Sequence, residues 1–328
     1  MGTKKLVLII TLSVIGLVGF IIFIANLDNI FGEKYNDYNK KEKTTVTFDG
    51  ESYVQNSTSN YLIFGLDSTE EFKSSGSYYN TDMCDFIMIL NIDNDNKQYS
   101  IFEINRNSMV NVIQLSITGR RLQESSYEQI AYAFNQGDGL IRSCNNVLNT
   151  VSELIYNLKI DYYLAMKMPA INIVNDSIGG VDITLNDDQD MSTIDESWTP
   201  GAKIHLENGN AEDFVRARSS VGDGTNESRM TRQTQYMEAF IDQVTKRSET
   251  STETLLNAFI AAEEYLLTDV DPYGIDAVFN SIKDYEYMGS FTPEGTIGYN
   301  ENNNALFYIN QTSFDTIVKK LFFKKYEK

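Results

Sequence analysis

The chain of 328 residues has one histidine, one tryptophan, two cysteines and four prolines, and its 27 basic residues are outnumbered by 46 acidic ones. A single histidine, His205, leaves no His-based triad, no zinc site of several histidines and no His general base; beside Leu206 it reads as an ordinary packed or surface side chain. Two cysteines are too few for a disulfide scaffold, and a bridge between Cys84 and Cys144 stays open on sequence alone. The shortage of positive charge, with a net charge of -19 and a pI near 4.4, argues against a nucleic-acid partner, which needs a basic footprint. It does not exclude phosphate binding at a local cluster of arginines.

Charge is missing altogether from residues 6–27, an apolar run preceded by Lys4 and Lys5. At about 1.5 Å per helical residue the run spans a bilayer core of about 30 Å. It is longer than the apolar part of a cleaved signal and lacks a small-residue exit site, so it reads as an uncleaved transmembrane signal anchor. Lysines before it and acidic sequence after it place residues 1–5 in the cytoplasm and the C-terminal domain outside the cell membrane. Residues 28–58 turn polar and lose hydrophobic periodicity, as a linker does, with one short strand expected over residues 44–48.

The globular part opens at YLIFGLDS. Residues 61–66 read as a buried strand ending on Asp67 and Ser68, FIMILNID as a second strand led by Asp82 and Asp85, and QYSIFEINR as a third that delivers Arg106. Open α/β sheets collect ligand groups at strand ends. Helical spacing of Val147, Val151, Leu154, Ile155 and Leu158, then the strand IDYYLAM, the short helix PAINIVNDSIGG and the strand VDITL, continue a layered α/β pattern over residues 59–250. Residues 187–200 are an acidic, irregular insertion holding Trp198. Residues 251–328 read as a helical and mixed extension packed on that domain.

One interval stands against the acidic background. AEDFVRARSSVGDGTNESRMTRQTQ, residues 211–235, carries Arg216, Arg218, Arg229 and Arg232 and no lysine. A guanidinium is a rigid fork that grips two oxygens at once, whereas an ammonium is a swivelling point charge. Arg216 and Arg218 share one side of an extended segment, Arg229 and Arg232 share one face of a helix, and the glycines between them suit a tight loop. Two readings follow: a solvated face paired with carboxylates, or a site for a multiply charged phosphate group.

Taken in order, the anchor, YLIFGLDS, CDFIMILNID, INRNSMV, IDYYLAM, IGGVDITL and FVRARSS…RMTRQ resemble the LytR-CpsA-Psr family of envelope glycopolymer ligases, from about residue 61 to residue 244. The tail is similar to the ends of clostridial-type members. The resemblance implies an α/β fold, a three-layer α-β-α sandwich with a mixed central sheet, preceded by one N-terminal transmembrane helix. It implies a phosphotransferase that moves an anionic glycopolymer, teichoic acid or capsule, from a polyprenyl-pyrophosphate carrier to peptidoglycan. Asp67 and Asp85 match the carboxylates associated with Mg2+ (or Mn2+). Arg106, Arg216, Arg218, Arg229 and Arg232 match the arginines that hold the pyrophosphate, and Gln233 completes the last motif. Asp85, Arg106, Arg216 and Arg218 form the expected catalytic set, with Asp85 taking the proton of the attacking sugar hydroxyl and Asp82 the alternative. The lipid tail calls for an apolar groove, expected along the helices around residues 147–158 and 171–174.

Two positions depart from the family pattern. Met83 stands where an arginine is usual, and Asn107 follows Arg106 where an aspartate is usual. They keep two other readings open: a hydrolase releasing the polymer to water through the same residues, and a non-catalytic envelope receptor or regulator that binds polyprenyl pyrophosphate.

Overall fold

Asp49 and Gly50, both at positive φ, make a two-residue turn that folds the first described residues into a hairpin, β1 (Val46–Phe48) and β2 (Glu51–Gln55). Such turns match the natural twist of paired strands. The polar segment expected as linker to residue 58 is therefore partly sheet, and β2 pairs on its other side with the last strand of the chain. This computed structural model describes residues 45–218, 221–248, 254–270, 274, 278 and 282–326. The expected anchor over residues 6–27 lies outside the described residues, among which no helix is long and apolar enough to cross a membrane.

The next strands are β3 (Ser59–Leu66), β4 (Cys84–Asp93) and β5 (Gln98–Glu103). In β3 burial alternates: Leu62, Phe64 and Leu66 enter one core while Tyr61 and Ile63 face another. The β4 run FIMIL is apolar without a break because the strand is covered on both faces. A hairpin of β6 (Met109–Leu115) and β7 (Arg121–Gln129) follows, then α1 (Ile141–Leu154), β8 (Tyr162–Lys167), α2 (Met168–Ser177) and β9 (Val181–Thr184). Asp138 opens α1 by accepting from the Leu140 and Arg142 amides, and Tyr156 and Asn157 at positive φ close it. Next come β10 (Lys203–Leu206), α3 (Ala211–Arg216), α4 (Asn226–Ser248), α5 (Thr254–Ala261), β11 (Leu266–Thr268) and β12 (Glu286–Phe291). The chain closes with β13 (Gly295–Tyr299), β14 (Ala305–Ile309), α6 (Gln311–Phe322) and β15 (Phe323–Lys325).

The central sheet has six strands in the order β11-β8-β3-β4-β5-β12. It is mixed: β3 runs parallel to β8 and β5 to β12, while the remaining pairs are antiparallel. Helices α1 and α6 cover one face through Val147, Val151, Phe314 and Val318. On the other face α4 lays Met237 and Ile241 against Met88, Leu90 and Ile101. A further core joins α4 to α2, α3, α5 and the β9–β10 pair, with Trp198 of the acidic insertion buried in it. The segment after residue 250, expected as an extension packed on the domain, supplies both edge strands of the sheet, β11 and β12. Short strands of mixed polarity have too little period to be read from sequence as sheet. Cys84 and Cys144 are free thiols buried in the core under α1; burial pushes the Cys84 thiol up to about 12.

Candidate functional site

The site begins with an irregularity in the sheet. Gly65 opposes Phe86 while Leu66 opposes Cys84, so Asp85 is left without a partner residue at a bulge. Bulges re-aim side chains beside active sites. This one sets Asp85 at the end of the sheet where the chain leaves β3 at Asp67 and, beyond β5, reaches Arg106. The strand-end placement expected from sequence thus comes about because β4 runs antiparallel to both its neighbours.

Asp85 Oδ1 accepts from Arg106, and its Oδ2 lies 3.4 Å from Nη1 of Arg229. Arg229 arrives on α4, whose first turn is fixed by side chains. Thr225 Oγ1 accepts from the Ser228 amide at 3.1 Å, Asn226 Nδ2 donates to Asn105 at 3.0 Å, and Asn105 Nδ2 donates to Glu227 at 2.8 Å. Arg229 Nη2 donates to Asn226 Oδ1 at 2.6 Å. Burial pulls the Arg229 guanidinium below the ordinary arginine value; Asp85 opposes that pull, and Arg106 and Arg218 add to it. The Nε atoms of both Arg106 and Arg229 are buried without a hydrogen-bond partner. Two converging cations around one carboxylate suit an anion with several oxygens.

The remaining arginines divide by burial. Arg216 is the last residue of α3, not part of an extended segment. Its side chain keeps 45% of its surface, and it donates to Glu212 at 2.7 Å and lies 3.8 Å from Asp67. Arg218 is exposed and donates to the Gly224 carbonyl at 3.3 Å, in a loop where Gly222 and Gly224 take positive φ. Arg232 does not reach the open cleft. It is fully buried, and its guanidinium donates to the carbonyls of Phe214, Ala217 and Ser228, fastening the end of α3 to α4. Burial, then the neighbouring Arg229 charge, pulls its guanidinium down to about 10. Gln233 Nε2 donates to the Val215 carbonyl at 3.4 Å and lines the cleft beside Arg229.

Of the two positions that depart from the pattern, Met83 offers its carbonyl to the Asp67 amide at 3.1 Å. Asn107 Oδ1 accepts from Gln129 at 3.1 Å. Asp82 pairs with Lys167 at 3.1 Å rather than with the arginines. Lys167 was not singled out in sequence, although it is the only charge between Asp161 and Asp176 in an otherwise apolar and neutral stretch.

Three cavities meet at this cluster. A junction of about 620 Å³ is walled by Asp85, Arg216, Arg229, Gln233 and Lys167. Through Met166, Ile171, Tyr236 and Met237 it adjoins an apolar cavity of about 930 Å³ between the sheet and helices α2, α4 and α5. Through Lys167, Met168 and Arg216 it adjoins a polar pocket of about 1240 Å³ under the loop that follows Asp67. The apolar groove expected along Ile171 and Val174 is present, but Val147, Val151, Ile155 and Leu158, on and just after α1, point into the core on the opposite face of the sheet.

For a divalent ion, no group of three or more His, Cys, Asp or Glu is assembled among the described residues. Magnesium needs no such cage: it is commonly held by one or two carboxylates, with phosphate oxygens and water completing its shell. Asp67, exposed and with its carboxylate 3.8 Å from Arg216, and Asp85 supply carboxylates of that kind.

The family model of the LytR_cpsA_psr family matches residues 21–322. The chain belongs to the LytR_cpsA_psr family. No curated protein matches it significantly. Among solved structures of similar fold are B. subtilis TagV, at 20% identity and TM-score 0.61 over 80% of this chain and 95% of that one, and TagT bound to LIIa-WTA, at 17% identity and TM-score 0.61 over 86% and 95%. Protein gbs0355 of Streptococcus agalactiae aligns with TM-score 0.64 at 12% identity over 80% and 86%. Identities this low speak for the fold alone, a mixed α/β sheet of the kind the LytR_cpsA_psr members share.

Proposed function

We propose that this protein is a phosphotransferase that attaches a polyprenyl-pyrophosphate-linked anionic glycopolymer, of teichoic acid or capsule type, to peptidoglycan at the outer face of the cell membrane, where residues 6–27 anchor it. The observation that carries the reading is the apolar cavity adjoining a junction walled by the buried Arg229, the half-exposed Arg216 and Lys167: one end suits a hydrocarbon tail and the other a diphosphate. TagT, a family relative in fold, was solved with LIIa-WTA bound, which supports a lipid-linked polymer as the ligand class.

The chemistry asks little more than positioning and charge. The acceptor hydroxyl attacks the phosphorus on the glycan side, a new O–P bond forms, and the bond to the bridging oxygen breaks, so the lipid monophosphate leaves with its electron pair. Negative charge grows on that leaving phosphate, and Arg106, Arg229, Arg216 and Arg218 are placed to stabilise it. Asp85 orients the first two arginines and receives the hydroxyl proton at a carboxylate oxygen. Asp67 and Asp85 would hold a magnesium or manganese ion, which when bound neutralises charge on the diphosphate oxygens. Arg232 and Gln233 keep α3 and α4 in register beneath the cluster.

The test is full-length protein in detergent with a lipid-linked saccharide, peptidoglycan and magnesium. Saccharide phosphate covalently bound to the peptidoglycan is the expected product. Free saccharide phosphate would replace this reading with a hydrolase, and stoichiometric binding without either product would replace it with a receptor.

A further inference from the structure

Resting on the diphosphate reading, we infer that Lys167 is a further anion-binding residue of the site, and that Asp82 is its resting counter-ion, displaced when the donor enters. Lys167 ends β8 in parallel register with Leu66, so it stands beside the strand end that carries Asp67. Only 4% of the residue is exposed, yet it lines both the junction and the polar pocket. Its Nζ donates to Ser68 Oγ at 3.3 Å and to the Glu71 carbonyl at 3.2 Å, pairs with Asp82 Oδ2 at 3.1 Å, and sits 4.9 Å from the centre of the Phe72 ring.

The asymmetry within the pair is what assigns the role. A buried ammonium cannot regain water and must keep an anionic partner. Asp82 keeps 26% of its side-chain surface, against 5% for Lys167, so the carboxylate can turn into solvent at small cost while the ammonium stays. An anionic oxygen reaching the wall between the two cavities then replaces it. The other cations of the polar pocket, Lys73 and Arg216, are 70% and 45% exposed at their side chains and already engaged with Glu70 and Glu212. Lys167 alone brings a desolvated charge to that pocket among its described lining residues, and desolvated charges bind anions most strongly.

The experiment is calorimetric titration of full-length protein in detergent with inorganic pyrophosphate, comparing wild type, Lys167→Met, Lys167→Arg and Asp82→Asn. Removing the ammonium should weaken binding on the order of tenfold or more. Lys167→Arg should keep most of the affinity, and Asp82→Asn should bind severalfold tighter because the competing carboxylate is gone. If the pair only fastens the loop, Asp82→Asn weakens binding together with Lys167→Met, and the inference falls. Should Lys167→Met not fold, the direction of change in Asp82→Asn decides alone. Wild-type protein that binds no pyrophosphate, with or without magnesium, would remove the diphosphate site itself. Wild-type binding matched by Lys167→Met would remove only the role given to Lys167.

Discussion

Replacing Asp85 by asparagine takes one negative charge from between two guanidiniums and keeps the shape of the side chain. Arg106 and Arg229 expose 15% and 7% of their side-chain surface, and each has a buried Nε without a partner, so neither charge regains water. Breaking a buried ion pair from one side costs about 3–5 kcal/mol. Asparagine still offers one carbonyl oxygen and the cluster borders a cavity, which brings the expected loss to about 2–3 kcal/mol. For a domain of this length that is roughly 3–5 °C in Tm. Stripped of their carboxylate, the same cations should gain more from an anion. Pyrophosphate at 100 times its Kd contributes about 2.7 kcal/mol through binding, so it should restore most of the variant's stability and shift its Tm by more than it shifts the wild type's. Transfer should remain low because no proton acceptor stands at the bulge. Thermal or urea unfolding with and without pyrophosphate is the measurement. A variant as stable as wild type, or one that pyrophosphate stabilises no more than wild type, would refute the claim that Asp85 holds two desolvated charges in place.

The arginines should separate in the same assays. Arg216→Ala should weaken pyrophosphate binding with little change in Tm, since the side chain is half exposed. Arg232→Ala should lower stability by about 3–5 kcal/mol, since it leaves three carbonyls without their buried donor. Ala170→Trp, placed in the apolar cavity, should abolish binding of a polyprenyl phosphate while leaving inorganic pyrophosphate affinity within a factor of about two; equal loss of both ligands would show that the cavity does not hold the tail. Glu103, buried at the end of β5 with Thr234 and Thr292 donating to it, has its carboxyl pushed up to about 7, chiefly by burial. Between pH 4.5 and 7 the unfolded chain gives up this proton and the folded one keeps it, so stability should fall as pH rises, by up to about 3 kcal/mol, and level off above pH 7. In Glu103→Gln that part of the pH dependence should vanish from chemical unfolding curves.

The strands β3, β4 and β5 were legible because a strand covered on both faces must be apolar at nearly every position, and few other elements of that length are. The carboxylates and Arg106 were legible because strand ends collect polar groups. The bulge at Asp85 was not, since one unpaired residue inside CDFIMILNID leaves no trace in composition. The β6–β7 hairpin was missed for a related reason: RLQESSYEQ is mostly exposed along its length, so neither face supplies the alternation that marks a strand. Lys167 escaped because a single lysine near a strand end reads as solvent-facing until its surroundings are known.

Burial then sorts residues that the sequence presents as equals. Four arginines within residues 211–235 carry the same formal charge, but a charge is worth most to an incoming anion when it is desolvated and still has donors to give. Arg232 is desolvated with its donors committed to carbonyls, so it frames the site. Arg216 and Arg218 are exposed, paired with Glu212 and the Gly224 carbonyl, so as wet charges they suit capture of an anion more than its tight holding. Arg229 on α4, with Arg106 from the segment after β5, is desolvated and is held by one carboxylate. That combination makes the Arg106–Asp85–Arg229 cluster, with Arg229 at the junction that adjoins the apolar cavity, the part of the site best suited to an incoming anion, and makes the unremarkable aspartate at the bulge the residue on which the alignment of the two arginines depends.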